Sequence, residues 1–114
     1  MRQAVSRDVQ DLVFVGEQDG PAEQQLKERL EALFEQHAGV TSAYLARAIV
    51  DGDTTVILGL RAAGLDESEL ARKVGAVFAS IFNARAHLDV MFLSAEQHVA
   101  VSRVCRAFYE RDSR

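Results

Sequence analysis

Two apolar runs, residues 40–50 and 54–62, are separated only by Asp51-Gly52-Asp53. Asp and Gly tolerate positive φ, so the triplet reads as a hairpin turn and the two runs as antiparallel neighbours. That pairing sets the centre of any fold open to the chain. The segments on either side carry helical rather than strand spacing, so strands and helices must share a core.

On the N-terminal side, Leu26, Leu30, Leu33 and Phe34 recur at i, i+4, i+7 and i+8, which makes one buried helical face. Asp19-Gly20-Pro21 opens this helix with proline at its first position, and Glu23 suits the positive end of its dipole. Gly39 predicts a left-handed C-cap. On the C-terminal side, Asp66 with Glu69 three residues on predicts an N-cap. Leu70, Val74, Val77, Phe78 and Ile81 form a second stripe, and Asn83 predicts its C-cap. Residues 11–17 (DLVFVGE) and 87–93 read as outer strands. Ser94-x-x-Gln97 is a capping pattern for a short third helix to about Cys105, with Val101, Val104 and Phe108 on one side.

The order is β-α-β-β-α-β plus a terminal helix. It predicts the α+β class and a ferredoxin-like sandwich with a four-stranded antiparallel sheet. Both long helices then cover one face, and strand 40–50 lies at an edge. A length of 114 residues with 48% hydrophobic side chains supports one core. The expected organisation is a flexible polar segment at 1–10 and a single domain at 11–114.

A net charge of −4 lacks the basic excess of nucleic-acid or membrane-surface binders, so neither is expected as a partner. Acids crowd the first helix and bases the C-terminus, which reads as solvated faces or a head-to-tail contact between chains. Cys105 is the lone cysteine, the N-terminus has no apolar signal-like run, and a cytoplasmic location is expected.

Alternation assigns Val56, Leu58 and Leu60 to the helix side, and Thr55, Ile57, Gly59 and Arg61 to the other. Leu88, Val90 and Phe92 oppose His87, Asp89, Met91 and Leu93 in the same way. In strand 40–50, Ser42, Tyr44, Ala46 and Ala48 oppose Ala43, Leu45, Arg47 and Ile49, and both sets are semi-apolar. Pattern alone leaves their faces open. The face away from the helices is too apolar to meet only water. The third helix, a second copy of the chain, and another partner or ligand are the alternatives that cover it. The candidate interaction surface is Tyr44, Arg47, Ile57, Arg61 and Met91, joined by the near-terminal Phe108 and Tyr109.

Chemistry-bearing residues form no site. His37, His87 and His98 lack metal spacing, so no metal or other cofactor is expected. His37 is expected at the end of the first helix, against its dipole, and His87 and Asp89 as a surface pair. Arg103 and Arg106 beside Cys105 would favour a thiolate, but a lone cysteine at the end of an amphipathic helix is more often a small buried hydrophobe. Glu28, Glu31 and Glu35, with Lys27 and Arg29 interleaved, read as a solvated face. No phosphate-binding or nucleophile-elbow motif is present, and no enzyme activity is expected.

Three features fall together: Gly16-Glu17 leading to Pro21 and a Leu-rich helix, Val40-x-x-Ala43-Tyr44-Leu45-Ala46, and Phe108-Tyr109. In this order and spacing the chain resembles the C-terminal domain of the enhanced-serine-sensitivity (SseB) protein family, from Val13 to Tyr109. It departs in having Ala107 where the family commonly has proline. The resemblance implies a bacterial cytoplasmic regulatory or protein-interaction module, with no catalytic residues to carry over. A self-associating, non-catalytic module is the first functional expectation. The alternative is an amino-acid-sensing domain of ACT-like character, using the loop that holds Gly16 and Gly20.

Overall fold

The computed structural model describes residues 12–82 and 88–111. Its elements are β1 (Leu12–Glu17), α1 (Pro21–Glu35), β2 (Val40–Val50), β3 (Asp53–Ala62), α2 (Glu67–Ile81), β4 (Asp89–Phe92), α3 (Ala95–Ser102) and β5 (Tyr109–Glu110). The expectations for segment 1–10, Asn83 and His87 fall outside the described residues.

Local signals act as the sequence implies. Pro21 starts α1 directly after Gly20. The Asp66 side chain accepts from the Glu69 N–H at the head of α2. Ser94 and Gln97 form a complete capping box on α3. Asp51 and Gly52 both take positive φ in the turn between β2 and β3.

The sheet is α+β and mixed, not an antiparallel four-stranded ferredoxin-like one. Its order is β1-β2-β3-β4, with β5 added beside β2. β1 and β3 both pair with β2 antiparallel, and β4 pairs with β3 in parallel through the α2 crossover. β2 is therefore internal, not an edge. The cause lies in α1. Glu17 already pairs with Ala46, while Phe34 in the last turn of α1 packs on Tyr109, whose partner is Ala43. The helix thus carries the chain onward past the end of β1, and β2 returns antiparallel beside it.

β2 outreaches β1 at its N-terminal end, and β5 fills the remaining edge. Phe108 N–H donates to Ala43 O at 2.9 Å, and Arg111 N–H to Thr41 O at 2.9 Å. One side of β2 is thus shared by two strands from opposite ends of the chain.

Both faces of the sheet are covered. On one, Leu26, Leu30 and Phe34 of α1 and Leu70 and Val74 of α2 pack on Leu45, Leu58 and Leu60. On the other, Val101 and Cys105 pack on Tyr44, Ala46, Ile57 and Met91. The alternation read for β3 and β4 matches these two cores. The missing wet side of β2 follows directly, because its residues 42–46 are buried whichever way they point.

Gly39 is not a left-handed cap. α1 ends on Gln36, and the positive-φ glycines are Gly20, Gly52 and Gly64. Gly39 instead lies against the Ala63 carbonyl and the Leu65 side chain, where a Cβ would collide with both. Its own carbonyl accepts from Ala63 N–H at 3.0 Å. α3 also stops at Ser102, short of the expected end. Val101 is buried, Val104 is exposed, and Phe108 packs on the opposite face of the sheet with Phe34.

Candidate interaction surface

The seven residues singled out from the sequence do not form one surface. Tyr44, Ile57 and Met91 point together from β2, β3 and β4, but they are buried beneath α3 and the segment after it. Tyr109 is buried on the other face, its ring 5.6 Å from that of Phe34. Phe108 is half-buried beside it. Arg61 is half-buried, and its Nη1 donates to Leu93 O at 2.6 Å. Arg47 alone is exposed, on the α1–α2 side beside Gly16.

Tyr44 fastens α3 to the sheet. Its hydroxyl lies 2.9 Å from His98 Nε2, and the two rings meet edge to face. Burial raises the phenol pKa, with Glu110 adding to the effect. Tyr44→Phe deletes this bond and leaves the imidazole half-exposed to water. A loss of about 1 kcal/mol in urea unfolding is expected.

Cys105 Sγ donates to Leu45 O at 3.4 Å, in the gap on β2 between β1 and β5. Burial, with Glu17 nearby, pushes the thiol from 9.0 up to about 11. The arginines next to it in sequence do not create a thiolate, because both are exposed while the sulfur points inward. The thiol ionises near 9.0 when unfolded and near 11 when folded, so the unfolded state loses its proton first. Stability should therefore fall as pH rises through that window. Cys105→Ala should flatten the fall measured by urea titration from about pH 8.5 to about pH 11.5.

Lys27 is 5% exposed, so it is not on the solvated helix face. Its Nζ lies 3.1 Å from Glu17 Oε2 and 3.6 Å from Asp19 Oδ1. Gly20 N–H and then Lys27 hold the Asp19 carboxyl below its usual range. The β1–α1 loop is thus tied to its helix by charge. His37 lies just past α1, with Nε2 3.5 Å from Lys73 Nζ, a neighbour that only the packing of α2 supplies. Among the described residues, no three or more His, Cys, Asp or Glu side chains group as metal ligands.

The exposed large apolar side chains lie elsewhere. Val13 and Ile49, cross-strand partners on the α1–α2 side, are 55% and 37% exposed; Val15, at the register shift of β1, is 44% exposed, and Val99 and Val104, on α3 and just after it, are 51% and 41% exposed. Across the sheet, β1 and α3 bound an open groove of about 420 Å³, lined by Leu12, Phe14, Glu96, Ala100, Arg103 and Val104 among others. A smaller cavity of about 100 Å³ lies under α1 and α2, against Val56 and Phe78. The signal for β1 was legible in LVFVGE, where Val13 and Val15 alternate against Leu12 and Phe14. Its weight was not, because strand order decides which strand is left at the edge.

No described helix is long and apolar enough to cross a membrane. Comparison with curated proteins and with solved structures gave no match. A sequence model of the SseB protein C-terminal domain matches residues 17–111, which covers α1 through β5 and begins at the last residue of β1. The match spans most of the chain, and the chain belongs to the SseB C-terminal domain family.

Proposed function

We propose that this domain is a non-catalytic protein-interaction module of the serine-sensitivity type, one that self-associates and works in the bacterial cytoplasm. The observation that carries the reading is the apolar edge strand β1, with Val13 left open beside Ile49 and Val15 exposed after it. An exposed apolar edge is a hazard unless something covers it. The nucleophile and titratable groups offer little to an enzyme. Cys105 is held as a thiol, and the Tyr44 hydroxyl is engaged by His98 Nε2.

An amino-acid ligand at the β1–α1 loop is the less favoured reading. The carboxylates there, Glu17 at the end of β1 and Asp19 in the loop, already face Lys27. The fold analogy behind that reading also needed a strand order different from the one present here. Sedimentation or light scattering across a concentration series tests the proposal. Mass rising toward twice that of the chain is expected, and a constant monomer mass counts against it.

A further inference from the structure

We infer that β1 and α3 together form a dyad-symmetric interface, in which β1 pairs antiparallel with β1 of a second copy and α3 packs beside its own counterpart. This rests on the self-association proposed above and assigns it to one surface.

β1 is the opening for it. Among the described residues β1 pairs with β2 alone, and none of their strands lies against its outer edge, whose backbone N–H and C=O groups are aligned to receive another strand. From Leu12 to Gly16 it has no charge and no proline, and its register against β2 shifts only after Phe14, which leaves Leu12–Phe14 as the regular stretch open to pairing. Antiparallel pairing of a strand with itself creates a dyad perpendicular to the sheet. That dyad joins two sheets into one and keeps both α3 helices on the same face. On the opposite face it brings the Val13 side chains of the two copies together.

The groove-facing stripe of α3 and its cap suits that symmetry. Glu96, Ala100, Arg103 and Val104 fall at i, i+4, i+7 and i+8, and all line the groove beside β1. The acid stands at one end, the base at the other, and alanine lies between them. An antiparallel copy sets Glu96 against the partner's Arg103 twice over, with small Ala100 side chains at the close approach. Among the described residues neither Glu96 nor Arg103 has an ion-pair partner within the chain. A parallel or head-to-tail arrangement would not pair the charges this way, so the stripe favours a second copy over an unrelated strand.

The test follows mass by analytical ultracentrifugation, with far-UV circular dichroism confirming that each variant is folded. The wild type should be dimeric at roughly 100 µM. Val13→Lys places a charge on an exposed side chain of the edge and should give a monomer. Arg103→Glu should raise the dimer dissociation constant about tenfold, and Glu96→Arg/Arg103→Glu should return it to within about threefold of wild type. A dimer unaffected by Val13→Lys and Arg103→Glu overturns this interface while leaving self-association standing. A wild type still monomeric at roughly 200 µM removes self-association as well, and leaves β1 to a strand from another protein.

Discussion

Phe34→Ala should cost about 4 kcal/mol in equilibrium unfolding, a large share of the stability of a domain this size. Phe34 is fully buried, and its ring lies 6.4 Å from that of Phe108 and 5.6 Å from that of Tyr109. Its backbone carbonyl is a second point of attachment. Tyr109 Oη donates to it at 3.5 Å and Arg111 Nη2 at 3.0 Å. Truncating the ring should therefore loosen β5 as well as the core. Hydrogen exchange should show the Phe108 and Arg111 amides losing protection below the global unfolding limit. Leu30→Ala, also fully buried on α1, should match much of the cost without that selective loss. If both variants release β5 equally, the special role of Phe34 is wrong.

Gly39→Ala should cost about 3 kcal/mol, although it adds one methyl group at a position that sequence reads as a helix cap. The new Cβ meets the Ala63 carbonyl, a backbone atom that cannot swing aside, and Leu65 as well. The bond from Ala63 N–H to Gly39 O, which ties the chain before β2 to the chain after β3, would be stretched in the process. Gly75→Ala provides the contrast. Gly75 is exposed within α2, and a Cβ there meets nothing within 4 Å. It should gain about 0.5–1 kcal/mol from helix propensity alone. Thermal melts of the two variants should move in opposite directions from wild type. A Gly39→Ala melt within a degree or so of wild type would show that the loop yields at little cost.

Local chemistry was legible in this sequence wherever the partner is near in the chain. The Ser94–Gln97 box, the Asp66 cap, the Asp51-Gly52 turn and the alternation in β3 all depend on neighbours within a few residues. Gly39 was misread because its constraint comes from Ala63 across two strands. The faces of β2 stayed open for a related reason. Ala43 and Leu45 enter one core, Tyr44 and Ala46 the other, and burial on both sides removes the contrast that reveals a face. The ferredoxin-like order failed because element order does not say whether a helix turns back over its strand or runs past it. Here α1 runs past. Of the alternatives for the far face, the third helix is the one present: α3 and the segment after it bury Tyr44, Ile57 and Met91, which alternation alone does not reveal.

The split edge of β2 has a kinetic consequence. Tyr109 and Phe34 are 75 positions apart, so β5 docks only after a large loop has closed. Until it does, Ala43 and Thr41 hold bare carbonyls at the sheet margin, and the Phe34 ring lacks its lid. Strand docking at the C-terminal end should then be a late step. A two-residue strand with few contacts of its own adds little to the nucleus, and substitutions in it should speed unfolding more than they slow folding. β5 thus works as a latch, governing how long the assembled sheet persists more than how quickly it assembles.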